Sequence, residues 1–219
     1  MLNIYTINLA HRKDRWEEAQ ANYRACGLNP DAVQRWEASS EPGFGALGCA
    51  KSHVAALAHY LTQGQAPYCL VLEDDFDFVR PWSEFVDCFR RAITHQLEWD
   101  VILMMGTAVL ATPSPVEGLA RVIESQSTAG YLVSRRYAAD LLACFAASLT
   151  YLERFRAPDL HRYAIPRMAV DMAWKPLQRR DRWYIATPAL GHQRTSWSDI
   201  EQCATNYDAI TFGMSASGA

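Results

Sequence analysis

The sequence has little of what a nucleic-acid-binding or disordered protein needs. Its 219 residues carry 21 Lys and Arg against 24 Asp and Glu, a net charge of -3. It therefore lacks the basic surface that replaces counterions on nucleic-acid phosphates. With 50% hydrophobic and 21% charged residues, it has the composition of an ordinary globular domain and not of a disordered chain. Its length suits a single α/β domain.

Paired cysteines and long apolar runs are also missing. The six cysteines form no C-x-x-C pair and have no histidine at zinc-finger spacing, which indicates buried thiols in a reducing compartment. The apolar opening turns polar after Leu9, too soon for a signal peptide, and no other run could span a membrane. We therefore expect a cytoplasmic protein. Because the C-terminal third is slightly basic, we also expect peripheral contact with the inner membrane surface.

Apolar runs and helical periodicity alternate along the first two thirds of the chain. Strands are predicted at 2–9, 32–38, 68–72, 99–105 and within 121–134, and helices at 11–26, 46–63, after Pro81 and at 137–149. The segment 111–118 is predicted to be a loop. This alternation predicts a mainly parallel sheet with helices on both faces, binding ligands at the carboxyl ends of its strands. From Leu152 the pattern loosens, and we expect one domain over 1–210 with a flexible tail at 211–219.

The segment CLVLEDDFDF places Glu73, Asp74, Asp75 and Asp77 where a hydrophobic strand ends. In an extended backbone alternate side chains share a face, so Glu73 and Asp75 are predicted on one face and Asp74 on the other. Two carboxylates spaced in this way suit Mg²⁺ or Mn²⁺, with substrate phosphates and waters completing the coordination. The alternative is a solvated acidic turn before the helix at Pro81.

The segment GFGALG formally satisfies the dinucleotide-binding pattern G-x-G-x-x-G through Gly43, Gly45 and Gly48. That pattern must join the first strand to its helix, and here the first strand leads into AHRKDR, which has no glycine. We therefore reject a dinucleotide fold. The glycines are expected to permit close approach of a loop to a ligand.

Several isolated residues allow two interpretations each. Arg12 and Arg15 fall in a first helical turn, where cations oppose the helix dipole, so they are either surface charges or contacts to a diphosphate or uridine. His53 lies on an apolar helix, where it is either a hydrogen-bonded core histidine or a contact to the substrate. His192 follows a predicted strand and is a candidate third metal ligand. The basic segment 179–183 is either a solvated patch or an attractor of anionic saccharide or membrane.

Several segments, in order from Ile7 to about Ile200, resemble glycosyltransferase family 25, the lipooligosaccharide and collagen galactosyltransferases. The matching positions of the N-terminal half are Ile7, Asn8, Leu9, Arg12, Arg15, Gly45, Gly48, Cys49, Ser52, His53, Leu72, Glu73, Asp74 and Asp75. Farther on, AGYLVSRRYAADLL, Asp171 in VDM, and Ser198, Asp199 and Ile200 in SDI also match. The family usually has glutamate where this chain has Ala46.

The resemblance implies a GT-A type fold, a UDP-sugar donor, commonly UDP-galactose, a divalent cation, and inverting transfer to a saccharide or lipid-linked saccharide such as lipooligosaccharide. It implies a donor site of Asn8, Leu9, Arg12, Arg15, Ser52, His53, Glu73 and Asp74. The metal ligands are expected to be Glu73, Asp75 and His192. Two alternatives stay open: a Mg²⁺-dependent phosphotransferase using the same acidic strand end, and a non-catalytic sugar-nucleotide-binding module, since Ala46 departs from the family.

Asp171 is the predicted general base. It lies in the apolar segment AVDMAW, away from the acidic cluster. A carboxylate within that cluster would be occupied by the cation and could not act as the base. Partial burial would raise the pKa of Asp171 toward the working range of a base. The alternatives are that Asp171 caps a helix beginning near Met172 and that Asp199 is the base.

Overall fold

The computed structural model describes residues 2–194, 196–198 and 203–205, with side chains for 2–194. Its strands are β1 Asn3–Asn8, β2 Gln34–Glu37, β3 Tyr68–Glu73, β4 Phe76–Phe78, β5 Val101–Leu103, β6 Thr107–Pro113, β7 Leu119–Gln126, β8 Gly130–Ser134, β9 Trp183–Ala186, β10 Gly191–Gln193, β11 Ser196–Ser198 and β12 Cys203–Thr205. Its helices are α1 Lys13–Cys26, α2 Gly45–Gln63, α3 Trp82–Thr94, α4 Ala138–Glu153, α5 His161–Met168, α6 Val170–Ala173 and α7 Lys175–Arg180.

The main sheet has eight strands in the order β2-β1-β3-β8-β5-β9-β7-β6. Strands β2, β1, β3, β5, β9 and β6 run in one direction, and β8 and β7 run in the other. The pairs β4–β10 and β11–β12 form separate antiparallel ladders. The predicted α/β domain with a mainly parallel sheet is confirmed.

Helices cover both faces of the sheet because the buried strands alternate between two hydrophobic layers. In β3, Cys69 and Val71 pack in the layer that contains α2 and α4, whereas Leu70 and Leu72 pack in the layer that contains α1 and α3. In β5, Val101 and Leu103 pack in the layer of α2 and α4, whereas Ile102 packs in the layer of α1 and α3. With both faces covered, the strand ends are left as the place where polar side chains can gather.

One sequence expectation is wrong in detail, and another lacked the position that the structure gives. The segment predicted as a loop at 111–118 begins as strand, because β6 extends to Pro113 and pairs with β7. Strand β6 is the last in the sheet order, and an edge strand tolerates proline. The loosened C-terminal third contains β9, which lies between β5 and β7. Its four residues, Trp183–Ala186, are all buried, and so short a run gives little periodic signal.

The basic segment at 179–183 is paired with acids. Arg179 contacts Glu124, Arg180 lies 2.8 Å from Asp181, and the Nε of Arg182 lies 3.0 Å from Asp100. None of the described helices is long and apolar enough to cross a lipid bilayer. Within residues 2–194, the five cysteines are free thiols.

Candidate active site

The acidic segment leaves the sheet through a turn. Glu73 is the last residue of β3, residues 74 and 75 form a turn, and β4 begins at Phe76 to pair with β10. The predicted alternation of side chains therefore stops at Glu73. The ring of Phe76 is fully buried and lies where a side chain on Gly130 or Gly191 would clash, so packing of this ring fixes the turn. Glu73, Asp74 and Asp75 consequently all face one cavity.

This cavity, which we call the Arg15 cavity, has a volume of about 600 Å³. It lies at the carboxyl ends of β1 and β3, between the starts of α1 and α2 and the segment 38–45. Seven of the eight predicted donor-site residues line it: Asn8, Leu9, Arg15, Ser52, His53, Glu73 and Asp74. Arg12 is outside the lining and pairs with Asp14 at 2.8 Å.

Asp74 is fixed by side chains from β1 and α1. The amide Nδ2 of Asn8 donates to Asp74 at 2.6 Å, and Arg15 donates to its other oxygen at 3.0 Å. Asn8 is held in turn by Arg35, whose Nε donates to the Asn8 Oδ1 at 2.8 Å. Burial raises the pKa of Asp74, and the charge of Arg15 opposes that rise. Asp74 thus ties the strand end to α1.

Glu73 ends a buried chain of hydrogen bonds. The hydroxyl of Thr128 donates to the Glu73 Oε1 at 2.6 Å, and the Nε2 of His53 lies 3.3 Å from the same oxygen. The Nδ1 of His53 lies 3.0 Å from the hydroxyl of Tyr131. Burial alone would raise the pKa of Glu73, but these hydrogen bonds and the charge of Arg15 outweigh it and lower the pKa. Glu73 is therefore kept as a carboxylate.

Asp75 is the carboxylate whose surroundings best fit a cation. Its side chain is buried, Gln193 donates to its Oδ2 at 3.2 Å, and its Oδ1 has no hydrogen-bond partner within residues 2–194. Burial and the charges of Glu73 and Asp74 raise the pKa of Asp75 to about 7. A buried carboxylate oxygen without a partner, beside two more carboxylates, suits a hard divalent cation such as Mg²⁺ or Mn²⁺.

The structure does not bring the three predicted metal ligands into one cluster. His192 lies in β10 opposite Asp77 of β4, outside both cavity linings. Among the described residues, only Cys49, His53 and Glu73 form a group of three or more potential ligand atoms that lie within 4.8 Å of one another. Burial, followed by the charge of Glu73, raises the pKa of the Cys49 thiol, so this group favours the protonated thiol over the thiolate that a metal would need.

The glycine-rich segment closes the Arg15 cavity by packing against α2. A side chain on Gly48 would place its Cβ 2.7 Å from the backbone oxygen of Ser39. Ser52 fastens the same segment, because its hydroxyl accepts from the Ser39 N–H at 2.9 Å and donates to the Gly48 carbonyl. Gly43 adopts a left-handed φ of 78°. Gly48 thus permits close approach of the loop to the helix, and Gly43, Gly45 and Gly48 all line the Arg15 cavity. The expected approach to a ligand stays a prediction.

A second cavity, of about 420 Å³, surrounds Asp171, and we call it the Asp171 cavity. One wall is apolar and is made of Ala46, Ile165, Pro166, Ala169, Val170 and Met172. The other wall is polar and is made of Thr107, Gln126, Ser127 and Thr128. Cys49, Glu73 and Gln193 line both cavities, so the two share a boundary.

Asp171 is held by the loop between β7 and β8. The backbone N–H of Ser127 donates to the Asp171 Oδ2 at 3.1 Å, and Ser127 adopts a left-handed φ of 77°. Such a conformation is strained in a residue other than glycine and is often found at functional sites. Burial raises the pKa of Asp171 despite this hydrogen bond. Helix α6 has Ala169 as its N-cap, so Asp171 does not cap the helix.

Sequence reasoning missed residues that act through tertiary contacts. Gln193 arrives from β10 and meets Asp75, while Arg35 supports Asn8 from the neighbouring strand β2. Their only sequence signal is a polar residue near a strand end or within an apolar strand. The alternative base Asp199, like Ile200, lies outside the described residues, as does the side chain of Ser198.

Comparison with known proteins gives similarity in backbone only. No protein-family model and no curated protein matches the sequence. Mannose-1-phosphate geranyltransferase from Thermus thermophilus is 11% identical, with a TM-score of 0.45 over 90% of this chain and 60% of that chain. UDP-glucose pyrophosphorylase complexed with UDP-glucose is 10% identical, with a TM-score of 0.45 over 84% of this chain and 72% of the pyrophosphorylase. A glycosyltransferase involved in glycosylation of the major capsid of PBCV-1 is 11% identical, with a TM-score of 0.39 over 84% of this chain and 92% of the glycosyltransferase.

The chain thus spans 60% of the length of the geranyltransferase. Likenesses with TM-scores below 0.5 carry no argument about what this chain binds or catalyses. Membership of family 25 therefore stays a proposal that rests on the residues themselves, and the functional argument rests on the two adjoining cavities.

Proposed function

We propose that the protein transfers a hexose from a UDP-sugar to a saccharide acceptor. The observation that carries this proposal is the shared boundary at Glu73 between a cavity rich in carboxylates and a cavity with a separate buried carboxylate, Asp171. A glycosyl transfer needs two adjoining sites, one for a charged leaving group and one for the attacking hydroxyl, so this arrangement suits it.

The Arg15 cavity is proposed to hold the UDP-sugar. Glu73 and Asp75 would hold Mg²⁺ or Mn²⁺, which supplies charge that offsets the negative charge growing on the departing diphosphate. Arg15 lies 3.0 Å from Asp74 and 3.8 Å from Asp75, so it adds a positive group beside the same acids. His192 is proposed only as a contributor from β10, because it lies opposite Asp77 and not among the three acids.

The Asp171 cavity is proposed to hold the acceptor hydroxyl. Asp171 accepts the hydroxyl proton while the oxygen attacks the anomeric carbon on the face opposite the diphosphate. The new carbon–oxygen bond forms as the bond to the diphosphate breaks, so UDP leaves and the configuration inverts. The raised pKa of Asp171 makes it a better proton acceptor than an exposed aspartate.

The resemblance to family 25 supports galactose as the sugar and lipooligosaccharide as the acceptor class, used at the cytoplasmic face of the inner membrane. Ala46, where the family usually has glutamate, is buried in the apolar wall of the Asp171 cavity. The departure from the family therefore falls in the acceptor cavity and leaves the Arg15 cavity intact. It also favours the second candidate function, a binding module that holds a UDP-sugar without transferring it.

A panel of UDP-sugars with Mn²⁺ tests the proposal. We expect one UDP-sugar to raise the melting temperature of the protein, since a ligand that binds only the folded state stabilises it by mass action. Release of UDP on addition of a saccharide supports transfer, whereas binding without UDP release supports the binding module. Release of inorganic phosphate from a phosphoester, with no stabilisation by any UDP-sugar, would identify a phosphotransferase instead.

A further inference from the structure

The charges that line the Asp171 cavity are of one sign. Glu73 and Asp171 are its charged residues, and its described lining contains no Lys, Arg or His. The nearby Lys175 is outside the lining and forms an ion pair with Glu124 at 3.6 Å. Burial raises the pKa of Asp171, and the charge of Lys175 opposes that rise less than the hydrogen bond from Ser127 does. The Arg15 cavity differs, because its lining adds Arg15, His11 and His53 to the acids.

The C-terminal segment cannot supply a positive charge to this cavity. Residues 195–219 contain no Lys, Arg or His, while they include Asp199, Glu201 and Asp208. Whatever position these residues take, they bring to the cavity only neutral or negative side chains. Residues 195–219 therefore add no positive side chain to the described lining.

The remaining lining divides into two chemically different walls. Ile165, Val170 and Met172 of α5 and α6 contribute aliphatic groups, while Gln126 and Ser127, at the end of β7, contribute an amide and a hydroxyl. A sugar ring has an apolar C–H face and an edge of hydroxyl groups, so it matches both walls at once. The volume of about 420 Å³ lies in the range of small-molecule sites.

We propose, on the basis of the proposed function, that the acceptor unit entering the Asp171 cavity is a neutral saccharide without phosphate, carboxylate or sulfate. With a cation held at Glu73, an anionic group would still face Asp171, and the described lining has no Lys, Arg or His to compensate the two negative charges. Juxtaposed like charges are strongly unfavourable in a partly buried site. Anionic groups elsewhere on a larger acceptor would stay outside the cavity. The acidic cavity thus selects the acceptor by exclusion of negative charge.

The test compares matched neutral and anionic glycosides in the presence of UDP and Mn²⁺. Methyl galactoside is paired with methyl galacturonide, and methyl glucoside with methyl glucuronide, and binding is measured by saturation-transfer NMR and calorimetry, so turnover is not needed. We expect at least one neutral member to bind about tenfold or more tightly than its anionic partner. Equal or tighter binding of the anionic member would overturn the inference.

A charge variant checks that the selection arises in this cavity. Gln126 is half-buried in the polar wall, so Gln126→Lys places a cation there, and the preference for the neutral glycoside should fall by about tenfold. Gln63→Lys adds the same charge at the exposed end of α2 and should leave the preference unchanged. An unchanged preference in Gln126→Lys, or an equal fall in Gln63→Lys, contradicts the assignment to this cavity.

The same measurements separate the inference from the function on which it rests. If UDP binds with Mn²⁺ but neither glycoside of either pair binds, the acceptor inference is wrong and the donor site stands. If UDP and UDP-sugars fail to bind at all, the proposed function itself is wrong, and the acceptor inference falls with it.

Discussion

The two adjoining cavities differ in how their carboxylates are held. In the Arg15 cavity, Asp74 is bound by Asn8 and Arg15, and Glu73 by Thr128 and His53, so fixed donors compensate both acids. In the Asp171 cavity, Asp171 receives a backbone N–H from Ser127 and lies against an apolar wall. Three neighbouring carboxylates, with the Asp75 Oδ1 unpartnered within residues 2–194, suit the binding of a cation and a diphosphate. The buried carboxylate of Asp171, which lies on another element, suits proton transfer.

The contrast also extends to the elements that build each cavity. The Arg15 cavity lies at the ends of β1 and β3, which belong to the sheet, while the Asp171 cavity is walled by α5, α6 and the β7–β8 loop. Rigid strand ends suit a ligand common to many enzymes of one type, and short helices with loops suit a variable acceptor. The predictions below separate the two cavities, because a variant in the Asp171 cavity should lose transfer and a variant in the Arg15 cavity should lose binding of Mn²⁺ and UDP.

The largest expected effect is on transfer in the variant Asp171→Asn. Asparagine keeps the shape and can still accept the Ser127 N–H, but it cannot take a proton, so the transfer rate should fall about 10²- to 10⁴-fold. Binding of UDP with Mn²⁺ should be unchanged. UDP release and calorimetry measure the two quantities.

The control for this variant is Asp159→Asn, the same change at an exposed position before α5, which should alter neither quantity. Full transfer activity in Asp171→Asn would move the base to another carboxylate, with Asp199 as the first candidate. Loss of UDP binding in Asp171→Asn would show that the two cavities do not have separate roles.

The variant Asp75→Asn should lose the binding that Asp171→Asn keeps. Because this variant removes the carboxylate whose Oδ1 has no partner within residues 2–194, binding of Mn²⁺ should weaken about 10- to 100-fold, and binding of UDP should weaken with it. The measurement is titration with Mn²⁺ followed by calorimetry with UDP. Asp87→Asn, exposed on α3, is the matched control, and unchanged metal affinity in Asp75→Asn would remove Asp75 from the cation site.

The sequence predicted the elements better than the contacts between them. Strand β3 and its acidic end were evident because an apolar run stops abruptly at Glu73. The turn at residues 74 and 75 could not be predicted, since it depends on β10 returning from the far end of the chain to pair with β4. A strand before His192 was expected, but the bounds of β9 and its place between β5 and β7 were not, because four buried residues give too short a pattern.

The candidate site shows the same limit. Asn8, Arg15 and Glu73 line one cavity, because the carboxyl ends of parallel strands meet at one edge of a sheet. Their role as a donor site stays a prediction. Gln193 and Arg35 were missed, since a glutamine or an arginine in a strand carries no signal until its spatial neighbours are known. The same holds for the separation of His192 from the three acids.

A smaller effect, on stability, is expected from Gly48→Ala. Alanine normally stabilises a helix interior relative to glycine, but here its Cβ would lie 2.7 Å from the Ser39 carbonyl oxygen. The free energy of unfolding should therefore fall by about 1 to 3 kcal/mol, measured by urea denaturation. A gain in stability would show that the segment at 38–45 yields easily and does not close the Arg15 cavity.

The smallest effect concerns the pH dependence of stability without metal. The folded pKa of Asp75, about 7, lies above its usual value, so the folded state binds the extra proton and loses stability as pH rises from about 4 to 7. Asp75→Asn should remove this loss and raise the melting temperature by several degrees at pH 8, with little change at pH 4. An equal shift at both pH values would contradict the raised pKa.

The most direct test of the account is calorimetric titration of UDP into the wild-type protein with and without Mn²⁺, repeated on Asp75→Asn and Asp171→Asn. The account predicts that UDP binds wild type and Asp171→Asn equally well with Mn²⁺, and that removal of Mn²⁺ or of the Asp75 carboxylate weakens binding at least about tenfold. Equal UDP affinity in all six combinations of protein and metal, or no binding in any, would contradict the assignment of the Arg15 cavity as a cation-dependent donor site.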